Sequence, residues 1–163
     1  MKRSIAAVAA LALAGCATVR GGAPGEGPDA HMLTISYRTG PCFGACPVYS
    51  VRVGLDGTIV FNGIRDTAVV GERRIVDHRA AIAFFNRLQP LRPRAERLLT
   101  GPPGCAEMAT DLPSVDVRWE GFGDPAHLAF YYGCDMEKNR ALAEALGNAP
   151  DLLPIAKLIG ARP

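Results

Sequence analysis

Five cysteines are the residues of this chain best suited to chemistry, and four of them, Cys42, Cys46, Cys105 and Cys134, fall in its body. Cys42 and Cys46 sit inside Gly40-Pro41-Cys42-Phe43-Gly44-Ala45-Cys46-Pro47-Val48-Tyr49, bracketed by prolines and with Gly44 between them. Two thiols at this spacing can close a small covalent ring, cycle as a redox dithiol, or hold a soft metal such as Cu(I) as thiolates. Four cysteines allow three pairings, and an even count in an exported protein reads as two disulfides. The expected pairs are Cys42–Cys46, which is local and lies in a Gly/Pro loop able to bend back, and Cys105–Cys134. The second would tie a long loop to the end of the last strand. Chain entropy assigns about 2 kcal/mol to a closed loop of about five residues and about 3.5 kcal/mol to one of about thirty.

Cys42-x-x-x-Cys46-Pro47 also resembles the metal-binding motif of Sco-type copper chaperones. That resemblance implies a thioredoxin-like fold, a helix opening behind the cysteines and a distant histidine ligand. Here the second cysteine leads into Pro47-Val48-Tyr49-Ser50-Val51, which reads as a strand. His78 and His127 are the candidate third ligands in the body, and neither carries a supporting motif. No helix N-terminus is expected behind Cys46 to lower a thiol pKa. The pair is therefore read as structural, with no metal and no cofactor; a thiol-redox or copper-handling protein using Cys42 and Cys46 is the alternative. No Cys-x-x-Cys-His is present, so covalent haem is excluded.

Cys16 belongs to different chemistry. Lys2 and Arg3 precede an apolar run, Ile5 to Ala14, too short to span a bilayer, and Leu13-Ala14-Gly15-Cys16 follows. The order resembles a bacterial lipobox, which implies cleavage after residue 15 and acylation of Cys16. Each buried methylene of an acyl chain adds about 0.8 kcal/mol of membrane affinity. Ala17 stands where an aspartate tends to retain lipoproteins in the inner membrane, so the expected address is the outer membrane, facing the periplasm. Ala17 to His31 is rich in Gly, Pro and Ala and reads as a flexible tether spanning roughly 20 Å. The domain expectation is a signal peptide over 1–15, lipidated cysteine and tether over 16–31, and one folded domain over 32–160.

The elements that must position the body cysteines follow from periodicity. Leu33, Ile35 and Tyr37 alternate with polar residues, as do Tyr49, Val51 and Val53; both runs predict half-buried strands. Asp56-Gly57 predicts a tight hairpin with positive φ at both central residues, returning over Thr58 to Asn62. Thr67 to Val76 predicts a fourth strand. Asp77 is a good N-cap for a helix over Arg79 to Leu88 whose apolar stripe is Ala81, Phe84, Phe85 and Leu88. Leu91 to Pro113 is long and proline-rich, with a short helical piece expected at Arg94 to Leu99. Loops of this length are functional, disordered or pinned, and Cys105 favours pinning. Ser114 to Glu120 and His127 to Tyr132 predict two more strands. Asp135 is expected to cap a second helix over Met136 to Leu146, ahead of an irregular apolar tail from Pro150 to Ile159. The fold class is α+β: a mainly antiparallel sheet of about six strands, two main helices packed on one face, stapled by disulfides.

Composition excludes more than it selects. Without Lys2 and Arg3 the chain has sixteen basic and sixteen acidic residues, so nothing favours a phosphate backbone and nucleic acid is not expected. No nucleophile elbow, dinucleotide loop, phosphate loop or His-Glu-x-x-His pair occurs. Glu107, Asp111, Asp116 and Glu120 have no spacing that brings two together. Arg73-Arg74 and Arg92/Arg94/Arg97 are small basic clusters able to meet anionic lipid or peptidoglycan.

Cys42-Phe43-Gly44-Ala45-Cys46-Pro47-Val48-Tyr49, then Asp56-Gly57, then Thr110-Asp111-Leu112-Pro113 and a late Gly133-Cys134, resemble an uncharacterised bacterial domain family of exported and lipid-anchored proteins. The resemblance covers Leu33 to Leu146 and implies export and fold, not chemistry. The functional expectation is a non-enzymatic binding or interaction module on a lipid anchor, meeting an envelope protein or peptidoglycan. The exposed sheet face and the pinned loop, with Glu107, Thr110 and Asp111, are the expected contact surfaces. Oligomeric state is not specified by any of these features.

Overall fold

The structure is a computed structural model that describes residues 33–161; the expected leader, Cys16 and tether lie outside the described residues. Among the described residues seven strands form one sheet: β1 (Thr34–Thr39), β2 (Val48–Gly54), β3 (Thr58–Arg65), β4 (Gly71–Val76), β5 (Glu96–Leu99), β6 (Ser114–Glu120) and β7 (Ala126–Tyr131). Their order across the sheet is β4-β3-β2-β1-β6-β7-β5. Every neighbouring pair is antiparallel except β5 with β7. Among the described residues there are three α-helices, α1 (His78–Leu88) between β4 and β5, and α2 (Arg140–Gly147) and α3 (Ala156–Ile159) after β7.

Alternation decides which face is buried. Ile35 and Tyr37, Val51 and Val53, Ile59 and Phe61, Val115, Val117 and Trp119, and Leu128 and Phe130 all point into one core. The connection from edge strand β4 to the opposite edge β5 passes over this face as α1, which inserts Ala81, Phe84, Phe85 and Leu88. Burying a side chain of this size contributes about 1.5 to 3 kcal/mol. Asp77 caps α1 as its sequence requires, its carboxylate accepting from the Ala80 amide at 3.0 Å. Tyr37 meets Phe84 edge to face at 6.2 Å, and its hydroxyl donates to the Leu146 carbonyl at 3.1 Å, so one β1 side chain holds both α1 and the end of α2.

Several expectations are corrected. There are seven strands, not six, because Glu96–Leu99 is a strand and not a helical piece; it lies parallel to β7, a pairing that hairpin reasoning had no means to supply. The fourth strand starts at Gly71, because the Ala68 and Val69 amides donate to the carbonyls of Ile159 and Leu158 at the C-terminal end of α3. At the β2–β3 hairpin only Gly57 has positive φ, at 86°. The loop is a three-residue turn, closed by the Gly57 amide on the Gly54 carbonyl at 3.0 Å, with the Asp56 carboxylate accepting from the Thr58 amide at 3.0 Å. The last correction concerns Asp135, which does not cap the second helix. That helix begins at Arg140, and Asp135 turns its carboxylate towards the long loop instead.

Candidate functional site on the bare sheet face and the stapled loop end

β1 ends, β2 begins, β5 ends, β6 begins and β7 ends at one end of the sheet, so the loops 40–47, 100–113 and 132–139 gather there. Both disulfides form at this end, Cys42–Cys46 with Cα atoms 5.7 Å apart and Cys105–Cys134 with Cα atoms 5.3 Å apart. Their surroundings differ. Cys105 and Cys134 are buried in the core cluster, whereas Cys42 and Cys46 are only partly covered.

The long loop is pinned by more than sulfur. The Ala106 and Glu107 amides both donate to one oxygen of Asp135, at 3.0 and 2.7 Å, and the Asp135 amide returns a bond to the Glu107 carbonyl at 2.9 Å. These two backbone donors hold the Asp135 carboxyl below its ordinary range, against a smaller opposing effect of desolvation. The Ala109 amide donates to the Gly133 carbonyl at 2.9 Å. That approach requires glycine at 133, where a Cβ would stand 2.2 Å from the Ala109 carbonyl oxygen.

Glu107, Thr110 and Asp111 are exposed on this loop, and their side chains do not converge with one another on a shared cavity. Thr110 donates its hydroxyl to the Asp111 carboxylate at 3.1 Å. Asp111, at φ 71°, offers its carbonyl to the Phe43 amide at 3.2 Å, which joins the Cys42–Cys46 ring to the long loop. Phe43, at the tip of that ring, is 86% exposed. Cys46 and Pro47 lead directly into β2, so a strand and not a helix N-terminus stands behind the cysteines.

The face of the sheet away from the core forms an open polar trough of about 730 Å³. Register organises it. Ser36 on β1 stands opposite Arg52 on β2 and opposite Arg118 on β6. The same row continues to Val60 and Arg74 on one side and to His127 and Glu96 on the other. Arg38, two residues along β1, faces the same way between Ser50 and Asp116.

Within this face lies a cluster that sequence reasoning missed. His127, its side chain 16% exposed, has Nδ1 at 2.8 Å from Glu96 Oε1 and Nε2 at 2.5 Å from Asp116 Oδ2. Arg118 donates from Nε to Asp116 Oδ1 at 3.0 Å. A polar chain thus runs across β5, β7 and β6. The β6–β7 alternation contained half of this signal; Glu96 enters only through the parallel pairing of β5.

The fold and site together define a disulfide-stapled α+β protein whose sheet is covered on one side and polar and open on the other. Residues 33–152 match a family described as a domain of unknown function, DUF6438, and the chain belongs to that family. No curated protein and no solved structure matches it. Among the described residues no helix is long and apolar enough to cross a membrane.

Proposed function

We propose that this protein is a lipid-anchored component of the bacterial envelope, held in the outer membrane through acylated Cys16 and facing the periplasm. Its domain over 32–160 acts as a non-enzymatic binding module. The observation that carries the reading is the disposition of exposed groups: a polar trough on one sheet face, and a bare aromatic, Phe43, on a covalent ring at the end of the same sheet. An aromatic held on a closed ring loses little conformational freedom on contact, which is what an interface anchor needs. β1 begins at Thr34 at the opposite end of the sheet, so a tether at the N-terminus leaves the stapled loops free to meet an envelope protein or peptidoglycan.

Two experiments test this. Cys16→Ser should move the protein from the membrane pellet to the soluble periplasmic fraction; a variant still membrane-bound after washing removes the anchor from the proposal. Photo-crosslinkers placed at Phe43 and Arg52 should capture a partner in cells, whereas the same group at Ile82, exposed on α1, should not. Capture confined to Ile82 would reverse the assignment of surfaces.

The thiol-redox or copper-handling alternative draws on one feature, the partial exposure of Cys42 and Cys46. Poising the protein at about −250 mV and titrating thiols separates the readings, since a structural pair stays oxidised there.

A further inference from the structure

We propose that the trough on the open sheet face binds a phosphomonoester carried on a hydrophilic body, such as a sugar phosphate, through Arg52, Arg118 and Arg38 around Ser36. This rests on the reading of that face as a contact surface and names its ligand. Adjacent strands are about 4.8 Å apart, so Arg52 and Arg118, each one strand from Ser36, stand about 10 Å apart at the backbone. Both project from the same face, Arg118 with its guanidinium against Asp116 and 3.3 Å from His127, and the small serine leaves the space between them open. Arg38 is two residues further along β1 on that face.

Cationic side chains gathered on one sheet face repel one another, a cost that an anion between them removes. The protein supplies little neutralisation of its own. Asp116 is taken up by Arg118 and His127, and Glu72, opposite Asn62, lies three strands from Arg38. Among the described residues, the side chains of Arg38 and Arg52 have no hydrogen-bond or ion-pair partner, although their backbones belong to the strand ladders. Guanidinium forks match phosphate oxygens in paired hydrogen bonds. The trough's short polar side chains, Ser36, Ser50, Asn62 and Ser114, suit hydroxyl groups on the rest of the ligand. Three arginines against two carboxylates in the lining leave a small positive excess. That excess fits one phosphate group and opposes a long polyanion, which would meet Asp116 and Glu72.

The test is calorimetric titration of the full chain in detergent, with glucose 1-phosphate as probe, glucose as neutral control, and low, fixed ionic strength. Saturable binding is expected for glucose 1-phosphate and not for glucose. Arg52→Glu and the milder Arg52→Gln should each weaken it by about tenfold or more, the scale of a lost charge-assisted hydrogen bond. Arg87→Glu, in the last turn of α1, should not change it. Unaltered circular dichroism in both Arg52 variants keeps the comparison valid. Absence of saturable binding, equal binding of glucose, or equal loss in Arg87→Glu would overturn the assignment. So would Arg52-dependent binding to phosphatidylglycerol vesicles that glucose 1-phosphate fails to displace, since the phosphate would then belong to a lipid headgroup. Crosslinking from Phe43 does not depend on this chemistry, so the ligand assignment and the wider contact reading fail separately.

Discussion

Asp135 shows how much one side chain can be asked to do. With φ at 39° it occupies the left-handed region, and its carboxylate gathers the Ala106 and Glu107 amides that the long loop would otherwise leave unpaired. Because those donors favour the ionised form, its folded pKa lies below its unfolded value. Its contribution to loop attachment is complete above the unfolded value and is lost as pH falls through the lower folded one. Asp135→Ala should speed amide hydrogen exchange at Ala106 and Glu107 at neutral pH. Asp135→Asn, which keeps an acceptor oxygen and tolerates the backbone angle, should speed it less and abolish the acid dependence. Equal exchange in both variants and the parent would mean the disulfide alone holds the loop. A sequence reader sees Asp after Gly-Cys and before a helical stretch and assigns a helix cap; the residue's backbone angle, which no local pattern announces, sends the carboxylate the other way.

The least legible element is β5. Glu96-Arg97-Leu98-Leu99 is four residues long, sits just after two prolines, and carries no full period of either kind. Its partner is β7, thirty-one residues on at the Glu96–His127 pair, and the pairing is parallel. At an edge with few ladder bonds, the Glu96–His127–Asp116 chain supplies a large share of what holds the strand. His127→Ala should therefore cost about 1 to 2 kcal/mol of stability, less than two buried hydrogen bonds to charged groups would contribute because Glu96 and Asp116 are open to solvent. Its distinguishing sign should be faster exchange of backbone amides in residues 96–99 than in β1 or β2. Uniform protection across the sheet would show that the polar chain is incidental to β5. The antiparallel strands were legible for the opposite reason. Each is long enough to show period-two alternation, and most neighbours in space are also neighbours in sequence. The fourth strand was overdrawn because Thr67 to Val70 has strand-like composition but docks on the tail through Ala68 and Val69.

For the whole molecule the two bridges should differ in both energy and access. Replacing Cys105 and Cys134 together by serine removes a tie between residues 29 apart within the core, whereas Cys42 and Cys46 are 4 apart at the surface. The chain-entropy estimate gives about 3.5 against about 2 kcal/mol, before any cost of placing hydroxyls in the core. Thermal unfolding should show the larger drop for the Cys105/Cys134 variant, and mild reduction of the parent should open Cys42–Cys46 first. A larger loss from the small ring would mean that it governs the loop end through the Phe43–Asp111 contact.

What the chain alone determined is local or counted: alternation assigned inward residues on β1, β2, β6 and β7, Asp77 announced α1, and the parity and spacing of four cysteines singled out the expected pairing among three. Those signals survive in a linear text because they depend on neighbours within a few residues, or on a constraint with few solutions. Tertiary structure alone decided what stands beside what across the sheet. Arg38, Arg52, Arg74 and Arg118 each occupy an outward position, yet only strand order and register turn them into a charged face, and only the parallel docking of β5 completes the carboxylate–histidine chain. Lateral pairing is set by the fit of the core beneath and by where α1 delivers the chain at the far edge, and neither is written in any one segment.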